Sequence, residues 1–503
     1  MIKITLNEPD FEYDIHSLVK AFFPAQQVVI DTENPQNPGS FSKNGYGGRH
    51  PSEEKSDLYL KVDYTGDCIT VYAGTHKNEY TIRDETRVCY TDREDTAQRT
   101  DTKNRLKRLL YRMLSGYTGK TLPWGTLTGI RPTKIPMKGL EEGKTEEEIL
   151  DGMRRTYLTS SEKASLALEI ARKERGILQE IDYRGGYSLY IGIPFCPTRC
   201  LYCSFTSYPI AKWEKRTGEY LDALEKEAAG CVPLFAGKKL QTVYIGGGTP
   251  TSLSPRELDR LLIMVEDYFD LSQVREFTVE GGRPDSFTPE KLSVLRAHPV
   301  TRISVNPQTM NQETLDLIGR SHTAEQTAEA FAMAREAGFD NINMDLILGL
   351  PGENPDMVRH TLAEIGKLRP DSLTVHSLAL KRAARLREEF AHYAVYGMEN
   401  SDEQMNLVRA AAADMGLFPY YLYRQKNMAG NLENVGYAAP GKEGLYNILI
   451  MEEKQTILSL GAAGMTKIVT DGRPVRRENV KDVDQYITRI DEMIERKKNV
   501  CQE

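Results

Sequence analysis

The sequence predicts an α/β fold, in which a partial barrel of six parallel strands lies between an N-terminal α+β domain and a mixed C-terminal region. Two observations predict it. Between residues 188 and 376, apolar, β-rich runs alternate with helical patterns that begin at recognisable caps. Strands that alternate with helices form right-handed βαβ units and a parallel sheet. Six such runs, rather than eight, favour a partial barrel over a closed one.

Strand and helix signals in this region follow one another regularly. Ser254–Glu257 and Thr323–Gln326 have the spacing of capping boxes, and Asn354–Asp356 places a proline at the first helical position. Gly338 is typical of a helix end. The predicted strands are Ser188–Ile193, Thr242–Ile245, Glu276–Glu280, Arg302–Val305, Ile342–Leu348 and Ser372–His376.

The first part of the chain has a different pattern and indicates a small α+β domain. Leucines and methionines at helical spacing between residues 106 and 114 predict a helix that ends at Gly116 or Gly119. The segment Asn34–Ser56 is rich in Asn, Pro, Gly and Ser, and we expect a mobile loop there. The predicted strands are Met1–Leu6, Asp57–Tyr64 and Cys68–Ala73.

These patterns divide the chain into four parts. We expect an N-terminal α+β domain at 1–150, a linking helix at 151–186, the partial barrel at 187–380 and a mixed C-terminal domain at 381–503. The linking helix would begin at a capping box, Thr159–Glu162, and the C-terminal domain would close with an amphipathic stretch, Val483–Ile494.

Composition excludes several classes of protein. The chain has 503 residues, with 40% hydrophobic and 27% charged residues, which is ordinary for globular domains. No apolar run approaches the roughly 20 residues of a membrane helix, and the start lacks the pattern of a signal peptide. We therefore expect a cytoplasmic protein with no membrane partner. The net charge of −7, without a long basic block, makes nucleic acid an unexpected partner.

A cysteine motif follows the first predicted barrel strand. Cys196, Cys200 and Cys203 have C-x3-C-x2-C spacing, which can hold three irons of a [4Fe–4S] cluster and leave the fourth iron open to a ligand. The alternative is a structural zinc loop, but such sites are closed by four protein ligands, and the remaining cysteines are scattered along the chain. An odd total of 7 cysteines also argues against a disulfide framework.

Further candidates lie where other strands of the barrel end. Gly246–Pro250 follows the second strand, Glu280 ends the third, and Gln308 follows the fourth. Functional loops of α/β barrels lie at this carboxyl edge, and glycine lets backbone carbonyls approach a ligand there. Each of these could separately be a turn or a solvated residue. Asp345 lies within an apolar strand, where a carboxylate is costly to bury without a partner or a ligand.

Together these residues resemble the radical S-adenosylmethionine (SAM) enzymes, and within them the oxygen-independent coproporphyrinogen III oxidase-like group. The resemblance covers about 185–470 and is strongest over 188–351. It implies that the open iron binds the amino and carboxylate groups of SAM. One electron from the cluster then gives a 5′-deoxyadenosyl radical, which takes hydrogen from unactivated C–H bonds.

The resemblance also implies a set of cofactor contacts. The glycine and threonine positions would hold the amino end of methionine, and Glu280 and Gln308 would contact the ribose and neighbouring groups. Arg320 would pair with a carboxylate, for which a guanidinium fork is suited. The positions that match the family's cofactor contacts are Tyr190, Tyr202, Gly247, Gly248, Thr249, Glu280, Gln308, Arg320, Asp345, Ala379 and Met465.

The run Pro123–Lys134 is similar to the coproporphyrinogen dehydrogenase branch found in anaerobic Gram-positive bacteria. That branch implies oxidative decarboxylation of two propionates of coproporphyrinogen III to vinyl groups, which gives protoporphyrinogen IX in heme biosynthesis. A reduced flavodoxin or ferredoxin-type protein would donate electrons. The tetrapyrrole substrate carries several carboxylates, so basic residues are expected to bind it. The candidates are Arg131, Lys134, Lys381, Arg382 and Arg385.

Two departures from the family pattern leave alternatives open. The well-defined oxidases carry a further cysteine at the position of Phe205, whereas the related heme chaperones share the three-cysteine form. Those chaperones usually carry a His-Asn-x-x-Tyr-Trp element, and this chain has no His-Asn pair. A heme-binding or heme-transfer protein and another radical reaction on a tetrapyrrole therefore remain as alternatives. A tRNA-modifying role for the N-terminal domain has no support in the acidic charge balance.

Overall fold

The structure is a computed structural model that describes residues 1–24, 26–34, 37–41, 57–76, 79–88, 94–129, 131–381, 383–398, 400–425, 431–470 and 474–502. The chain forms two compact units. The first comprises Met1–Leu168 with Arg424–Asn427, and the second comprises Glu169–Tyr423 with Met428–Glu503. The four-part division drawn from the sequence stays a prediction. In the described ranges, no helix is long and apolar enough to cross a membrane.

The first unit is built on a six-stranded sheet of order β3-β2-β1-β4-β5-β6. β1 is parallel to β2 and β4, and the remaining pairs are antiparallel. The strands are β1 (Ile2–Leu6), β2 (Val28–Asn34), β3 (Asn37–Phe41), β4 (Leu58–Thr65), β5 (Cys68–Gly74) and β6 (Ile82–Arg87). The helices that begin in this unit are α1 (Glu12–Phe22), α2 (Thr96–Thr118), α3 (Lys134–Glu141), α4 (Glu146–Tyr157) and α5 (Ser161–Gln179).

Most predicted elements of this unit are present. β1, the hairpin β4–β5 and α2 are confirmed, and α2 ends where Gly119 adopts a left-handed conformation. The expected loop over Asn34–Ser56 is wrong in its first part, because Asn34 ends β2 and residues 37–41 form β3. β3 lies at the edge of the sheet, where a proline such as Pro38 is tolerated. The rest of that segment, 42–56, lies outside the described residues.

The second unit contains the remaining elements. Its strands are β7 (Gly186–Ile193), β8 (Phe195–Cys196), β9 (Tyr208–Pro209), β10 (Lys239–Gly247), β11 (Glu276–Glu280), β12 (Arg302–Ser304), β13 (Ile342–Leu348), β14 (Ser372–Ser377), β15 (Phe418–Tyr423), β16 (Asn434–Ala438), β17 (Thr456–Leu460), β18 (Met465–Ile468) and β19 (Val475–Glu478). Its helices are α6 (Thr217–Cys231), α7 (Pro255–Tyr268), α8 (Pro289–Ala297), α9 (Gln312–Leu317), α10 (Ala324–Glu336), α11 (Pro355–Leu368), α12 (Arg385–Glu388), α13 (Phe390–Tyr393), α14 (Asp402–Asp414), α15 (Leu445–Glu452), α16 (Val483–Thr488) and α17 (Ile490–Gln502).

The six predicted barrel strands are confirmed as a continuous parallel sheet. β7, β10, β11, β12, β13 and β14 lie side by side in chain order, and every neighbouring pair is parallel. The C-terminal region extends this sheet at both edges. β16 pairs antiparallel with β14 and β15 with β16, whereas β17 runs parallel to β7 and is followed by β18 and β19. The result is an 11-stranded mixed sheet.

Local helix signals are mostly confirmed. Ser254 and Thr323 form complete capping boxes, and Asn354 caps a helix that begins with proline. The predicted capping box at Thr159–Glu162 is wrong by one residue, because the Ser160 hydroxyl accepts the backbone N–H of Lys163 at 3.2 Å. The C-terminal amphipathic stretch forms α16 and the first turn of α17.

Candidate functional site

The cysteine loop, residues 193–203, is tied to the glycine-rich loop, residues 246–250, by hydrogen bonds. Gly248 N donates to Ile193 O at 2.8 Å, and Thr249 N donates to Phe195 O at 2.7 Å. The Thr249 hydroxyl donates to Cys196 Sγ at 3.4 Å. β7 and β10 are neighbours and parallel, so the segments that follow them meet at the same edge. The structure therefore brings the predicted methionine-binding residues against the first cysteine.

Two glycines allow this close approach. Gly247 has φ 105°, which a residue with a side chain rarely adopts. At Gly248 an added Cβ would lie 2.6 Å from Phe195 O and 3.0 Å from Cys196 Sγ. Any larger residue would push the two loops apart, so glycine at this position is a requirement of the packing.

The three cysteines share one environment as free thiols. Cys200 is buried, and Cys196 and Cys203 are half-buried. Burial raises the pKa of Cys196 to about 11, opposed by the Thr249 hydrogen bond and reinforced by the charges of the other two cysteines. Burial also raises the pKa of Cys203. Among the described residues, no three His, Cys, Asp or Glu side chains surround a single point where one metal ion could bind. In a cube, each thiolate has an iron of its own.

Arg320 and Tyr202 are brought together beside the cysteine loop. Arg320 is buried, and its guanidinium donates to the Tyr202 hydroxyl at 2.9 Å and to Asn306 O at 2.6 Å. Its Nε has no hydrogen-bond partner. Leu201 N donates to Ile318 O at 2.9 Å, which fixes the cysteine loop to the end of α9. Both terminal nitrogens of Arg320 are therefore held by the protein, and Nε is the buried donor that is left for a ligand.

Gln308 and Asp345 also lie side by side. Gln308 N donates to Asp345 O at 2.9 Å, and Gln308 has φ 71°, an uncommon conformation for a residue other than glycine. Its side-chain Oε1 is buried without a partner. The Asp345 carboxylate accepts from Asn343 Nδ2 at 2.7 Å and lies 4.0 Å from His376 Nε2. A carboxylate in this strand was expected to need a partner or a ligand. The partner of Asp345 is the side-chain amide of Asn343.

Glu280 connects β10 and β11 at the same edge. Its carboxyl group accepts a hydrogen bond from the Tyr244 hydroxyl and another from Gly247 N at 3.3 Å. Burial raises its pKa to about 7, and the charge of Asp345 contributes in the same direction. Tyr244 stacks on Tyr446 with ring centroids 4.5 Å apart. The carboxyl group therefore lies in a largely apolar, aromatic environment.

A cavity of about 300 Å³ opens beside these residues. Tyr190, Gly247 and Met465 line it, as do Phe205 and Tyr446, which the cofactor pattern does not include. Met465 is 42% exposed and Phe205 is 69% exposed, so both lie towards solvent. Ala379 is half-buried after β14 and does not line this cavity.

The candidate substrate-binding cations differ in their local surroundings. Lys381 is half-buried, and burial lowers its pKa. Arg385 forms an ion pair with Glu389 at 3.2 Å. Arg382 lies outside the described residues, and Arg131 and Lys134 belong to the first unit. Their role in binding a substrate stays a prediction.

Several residues of the site were not predicted from the sequence. Arg283 lies in the turn after β11 and reaches the cysteine loop, and its position at a strand end is a signal that could have found it. Tyr423 contacts His376 through a 3.4 Å hydrogen bond. Tyr446 has no local signal, because it comes from a helix far along the chain and is recruited by packing.

Comparison with known proteins defines the class. Residues 190–365 match the family model of the radical SAM superfamily. The chain is 41% identical over 459 residues to the oxygen-independent coproporphyrinogen-III oxidase-like protein HemZ of Bacillus subtilis, and the match covers 90% of this chain and 91% of that protein. The chain therefore belongs to the oxygen-independent coproporphyrinogen III oxidase-like family of radical SAM proteins.

Two further similar proteins are a heme chaperone and a coproporphyrinogen III oxidase. The heme chaperone HemW of Bacillus subtilis is 38% identical over 195 residues, which cover 39% of this chain and 51% of the chaperone. Coproporphyrinogen III oxidase (HemN) from Escherichia coli, a radical SAM enzyme, matches in structure with a TM-score of 0.51 and 25% identity. That match covers 64% of this chain and 73% of the oxidase.

The superfamily uses a [4Fe–4S] cluster and SAM, and the residues present fit both groups. The three thiols are the kind of ligand that such a cluster takes, and the buried guanidinium of Arg283 lies 4.0 Å from Cys200 Sγ. Several buried polar atoms on the segment that begins at the end of β12 have no hydrogen-bond partner in the protein, so they could bind a ligand. These atoms are Ser304 Oγ, Asn306 Oδ1, Gln308 Oε1 and Arg320 Nε. Buried polar groups are normally hydrogen-bonded, so such a group of free atoms fits a polar cofactor.

Proposed function

We propose that the protein is a radical SAM oxidoreductase that converts two propionate side chains of coproporphyrinogen III to vinyl groups, giving protoporphyrinogen IX. The observation that carries the proposal is the 41% identity to an oxidase-like relative over 90% of the chain, which extends well beyond the barrel. Each conversion passes one hydrogen atom to the 5′-deoxyadenosyl radical and one electron to an external one-electron acceptor, and it releases carbon dioxide from the propionate.

In this proposal Cys196, Cys200 and Cys203 hold the cluster. When bound, the reduced cluster and SAM supply the 5′-deoxyadenosyl radical that abstracts hydrogen. Thr249 and the preceding glycines would hold the methionine end, because they already contact the cysteine loop. The free donor of Arg320 suits a carboxylate, and the free acceptor of Gln308 suits a hydroxyl or an amine.

The remaining residues would orient the cofactor and exclude water. Glu280 would accept hydrogen bonds from the ribose as a carboxylate, with Tyr244 holding one of its oxygens. The stacked rings of Tyr190, Tyr244 and Tyr446 form an apolar wall beside the cavity. A reactive carbon radical requires such a wall, because water and mobile side chains would otherwise quench it.

The test is anaerobic reconstitution with iron and sulfide, followed by reduction and incubation with SAM, with and without coproporphyrinogen III. We expect 5′-deoxyadenosine and vinyl products together. Formation of 5′-deoxyadenosine without a vinyl product would retain the radical chemistry and exclude this substrate. In Cys200→Ala, both the cluster and SAM cleavage should be lost, and full activity in that variant would contradict the proposed site.

A second candidate is a heme-binding or heme-transfer protein. It is favoured by the 38% identity to the heme chaperone HemW over 195 residues. Titration of the reconstituted protein with heme separates the two. A Soret band that saturates at one heme per chain, with no turnover of coproporphyrinogen III, would favour the chaperone. Vinyl products without stoichiometric heme binding would favour the oxidase.

We propose further that a reduced flavodoxin or ferredoxin-type protein supplies the electron and that the protein works in the cytoplasm. Support comes from the chemistry of the thiols, which must stay reduced to bind iron. Replacement of dithionite by a reduced flavodoxin should sustain SAM cleavage. SAM cleavage that occurs with dithionite but not with the reduced flavodoxin would contradict this donor class.

A further inference from the structure

Arg283 is a buried guanidinium that contacts the cysteine loop. It lies in the turn after β11, and only 3% of the residue is exposed. Its Nη1 donates to the Thr198 hydroxyl at 2.6 Å and lies 4.0 Å from Cys200 Sγ. No role for Arg283 follows from the cofactor pattern of the family as carried onto this sequence. A buried cation against a cluster ligand therefore needs its own explanation.

The orientation of this guanidinium is fixed by Asp285. Arg283 Nε and Nη2 donate to the two carboxylate oxygens at 2.9 and 2.7 Å. Burial opposes the charge on Asp285, but the guanidinium of Arg283 holds the pKa of that carboxyl group below its usual value. A bidentate pair is geometrically specific. The third nitrogen of Arg283 is thus directed at the loop rather than free to move.

The surroundings of Cys200 carry a surplus of positive charge. Arg320 is the second buried guanidinium there, and it donates to the hydroxyl of Tyr202, which lies between Cys200 and Cys203 in the chain. His322 is uncharged, because burial lowers its pKa to about 3. Two guanidinium groups are therefore set against one carboxylate, that of Asp285. The excess positive charge faces the thiolate that is to bind iron.

We propose that Arg283 tunes the cluster by stabilising its reduced state. A [4Fe–4S] cube bound by three thiolates carries a net charge of about −1 when oxidised and about −2 when reduced. A buried cation stabilises the added electron because charges interact strongly where water is excluded. Arg283 thus makes the reduction potential more positive and eases electron uptake. The inference goes beyond the proposed function, since it depends on the cluster and not on the tetrapyrrole.

A purely structural role makes a different prediction. If Arg283 only fastened the loop through Thr198, loss of either Arg283 or Asp285 would loosen the loop in the same way. Both changes would then lower cluster content and shift the potential in the same direction, if at all. A charge effect requires opposite shifts, because one variant removes a cation and the other removes the anion that compensates it.

The experiment compares Arg283→Gln, Asp285→Asn and the double variant, with Arg260→Gln as a matched control. Arg260 pairs with Asp222 and Glu225 at the surface, away from the cysteine loop. The reduced fraction of the reconstituted cluster is followed by electron paramagnetic resonance against applied potential, without SAM or substrate. At a fixed potential we expect the ratio of reduced to oxidised cluster to fall about tenfold in Arg283→Gln, a shift of about 59 mV for one electron.

Asp285→Asn should shift the potential in the positive direction, the double variant should lie near the wild type, and Arg260→Gln should not shift. Equal potentials in Arg283→Gln and wild type, or shifts of the same sign in both single variants, would overturn the inference. If Arg283→Gln binds no iron, the sign of the shift in Asp285→Asn decides. If neither variant assembles a cluster, the pair serves loop assembly alone and the inference is wrong. Turnover of coproporphyrinogen III is not part of this measurement, so its failure leaves this result intact.

Discussion

Glu280 is a residue whose charge changes near neutral pH. Burial raises its pKa to about 7 in the cofactor-free chain. A carboxylate accepts hydrogen bonds from ribose hydroxyls at both oxygens, whereas the protonated acid does so less well. Any ligand that requires the carboxylate therefore binds more tightly as the pH rises through 7, and its binding releases a proton.

We predict that the affinity for SAM rises about tenfold between pH 6 and pH 8, because the ionised fraction of Glu280 rises from about 9% to about 91%. Equilibrium binding to the reconstituted protein measures this change. Glu280→Gln serves as the control, since it removes the carboxyl titration and retains any titration of the ligand. An equal pH dependence in the wild type and in this variant would exclude Glu280 as the cause.

Substitution of Gly248 should have a steric effect on the cysteine loop. An added Cβ would lie 2.6 Å from Phe195 O, so Gly248→Ala must displace the cysteine loop. We expect the free energy of unfolding of the second unit to fall by about 1–3 kcal/mol and the iron content to fall with it. Urea unfolding and iron analysis measure the two effects.

Gly218→Ala is the matched control for this change. Gly218 lies in α6 with nothing within 4 Å of the position of an added Cβ. Alanine favours helix over glycine by up to about 1 kcal/mol. Gly218→Ala should therefore leave iron content unchanged and stability equal or higher. If Gly248→Ala binds iron like the wild type, the close packing of the two loops is not required.

The sequence could indicate site residues only where a local pattern carried them. The cysteine spacing and the polar residues at strand ends are such patterns, and the structure gathers Cys196, Thr249 and Glu280 at one edge of the sheet. Arg283 was missed although it follows β11 directly. Its significance depends on Thr198 and Cys200, which are more than 80 residues away in the chain.

Among the elements, α17 fastens the segment that leads to Met465. Lys497 on α17 and Glu227 on α6 form an ion pair in which both side chains are buried. Glu227 also accepts from Gly461 N at 2.8 Å, and Asn479 donates to Gly461 O at 2.8 Å. The turn between β17 and β18, which carries part of the cavity wall, is thereby attached to two helices.

We predict that Lys497→Met lowers the free energy of unfolding of the second unit by about 3–5 kcal/mol, because it leaves the Glu227 carboxylate buried without its cation. Urea unfolding measures the loss. Lys498→Met is the control on the same helix, since Lys498 pairs with Glu495 at the surface and its removal should have no measurable effect. Equal stability of the two variants would contradict a structural role for the buried pair.

The elements themselves were predictable to different degrees. The six barrel strands are apolar runs separated by capped helices, and all six were predicted. β17 was not, although it completes the sheet beside β7, because its pairing joins residues about 270 positions apart. β3 was predicted as loop because its residues disfavour strands, and pairing with β2 overrides that preference.

At the scale of the whole molecule, the cofactors should stabilise one unit and not the other. All predicted cofactor residues belong to the second unit. A ligand that binds only the folded state stabilises it by about 2.7 kcal/mol at 100 times its dissociation constant. We therefore predict that the cluster and SAM slow hydrogen exchange around 193–207, 246–249 and 304–320. Exchange in residues 1–160 should not change.

Hydrogen exchange with mass spectrometry checks this prediction in the cluster-free and reconstituted protein. Removal of the cluster with a chelator after oxidation should return the exchange rates to those of the cluster-free chain. Equal protection of both units on loading would contradict a site confined to the second unit. The comparison requires no variant, so it is independent of any effect of mutation on folding.

The sequence by itself determined the class of the fold and the cofactor chemistry, because both depend on short-range patterns. Alternating strands and helices impose a parallel sheet, and the spacing of Cys196, Cys200 and Cys203 suits three irons of one cube. The tertiary structure alone decided which charges face those cysteines and which strands complete the sheet. Arg283, Arg320 and β17 reach their places through contacts between distant segments, and no local pattern in the chain encodes such contacts.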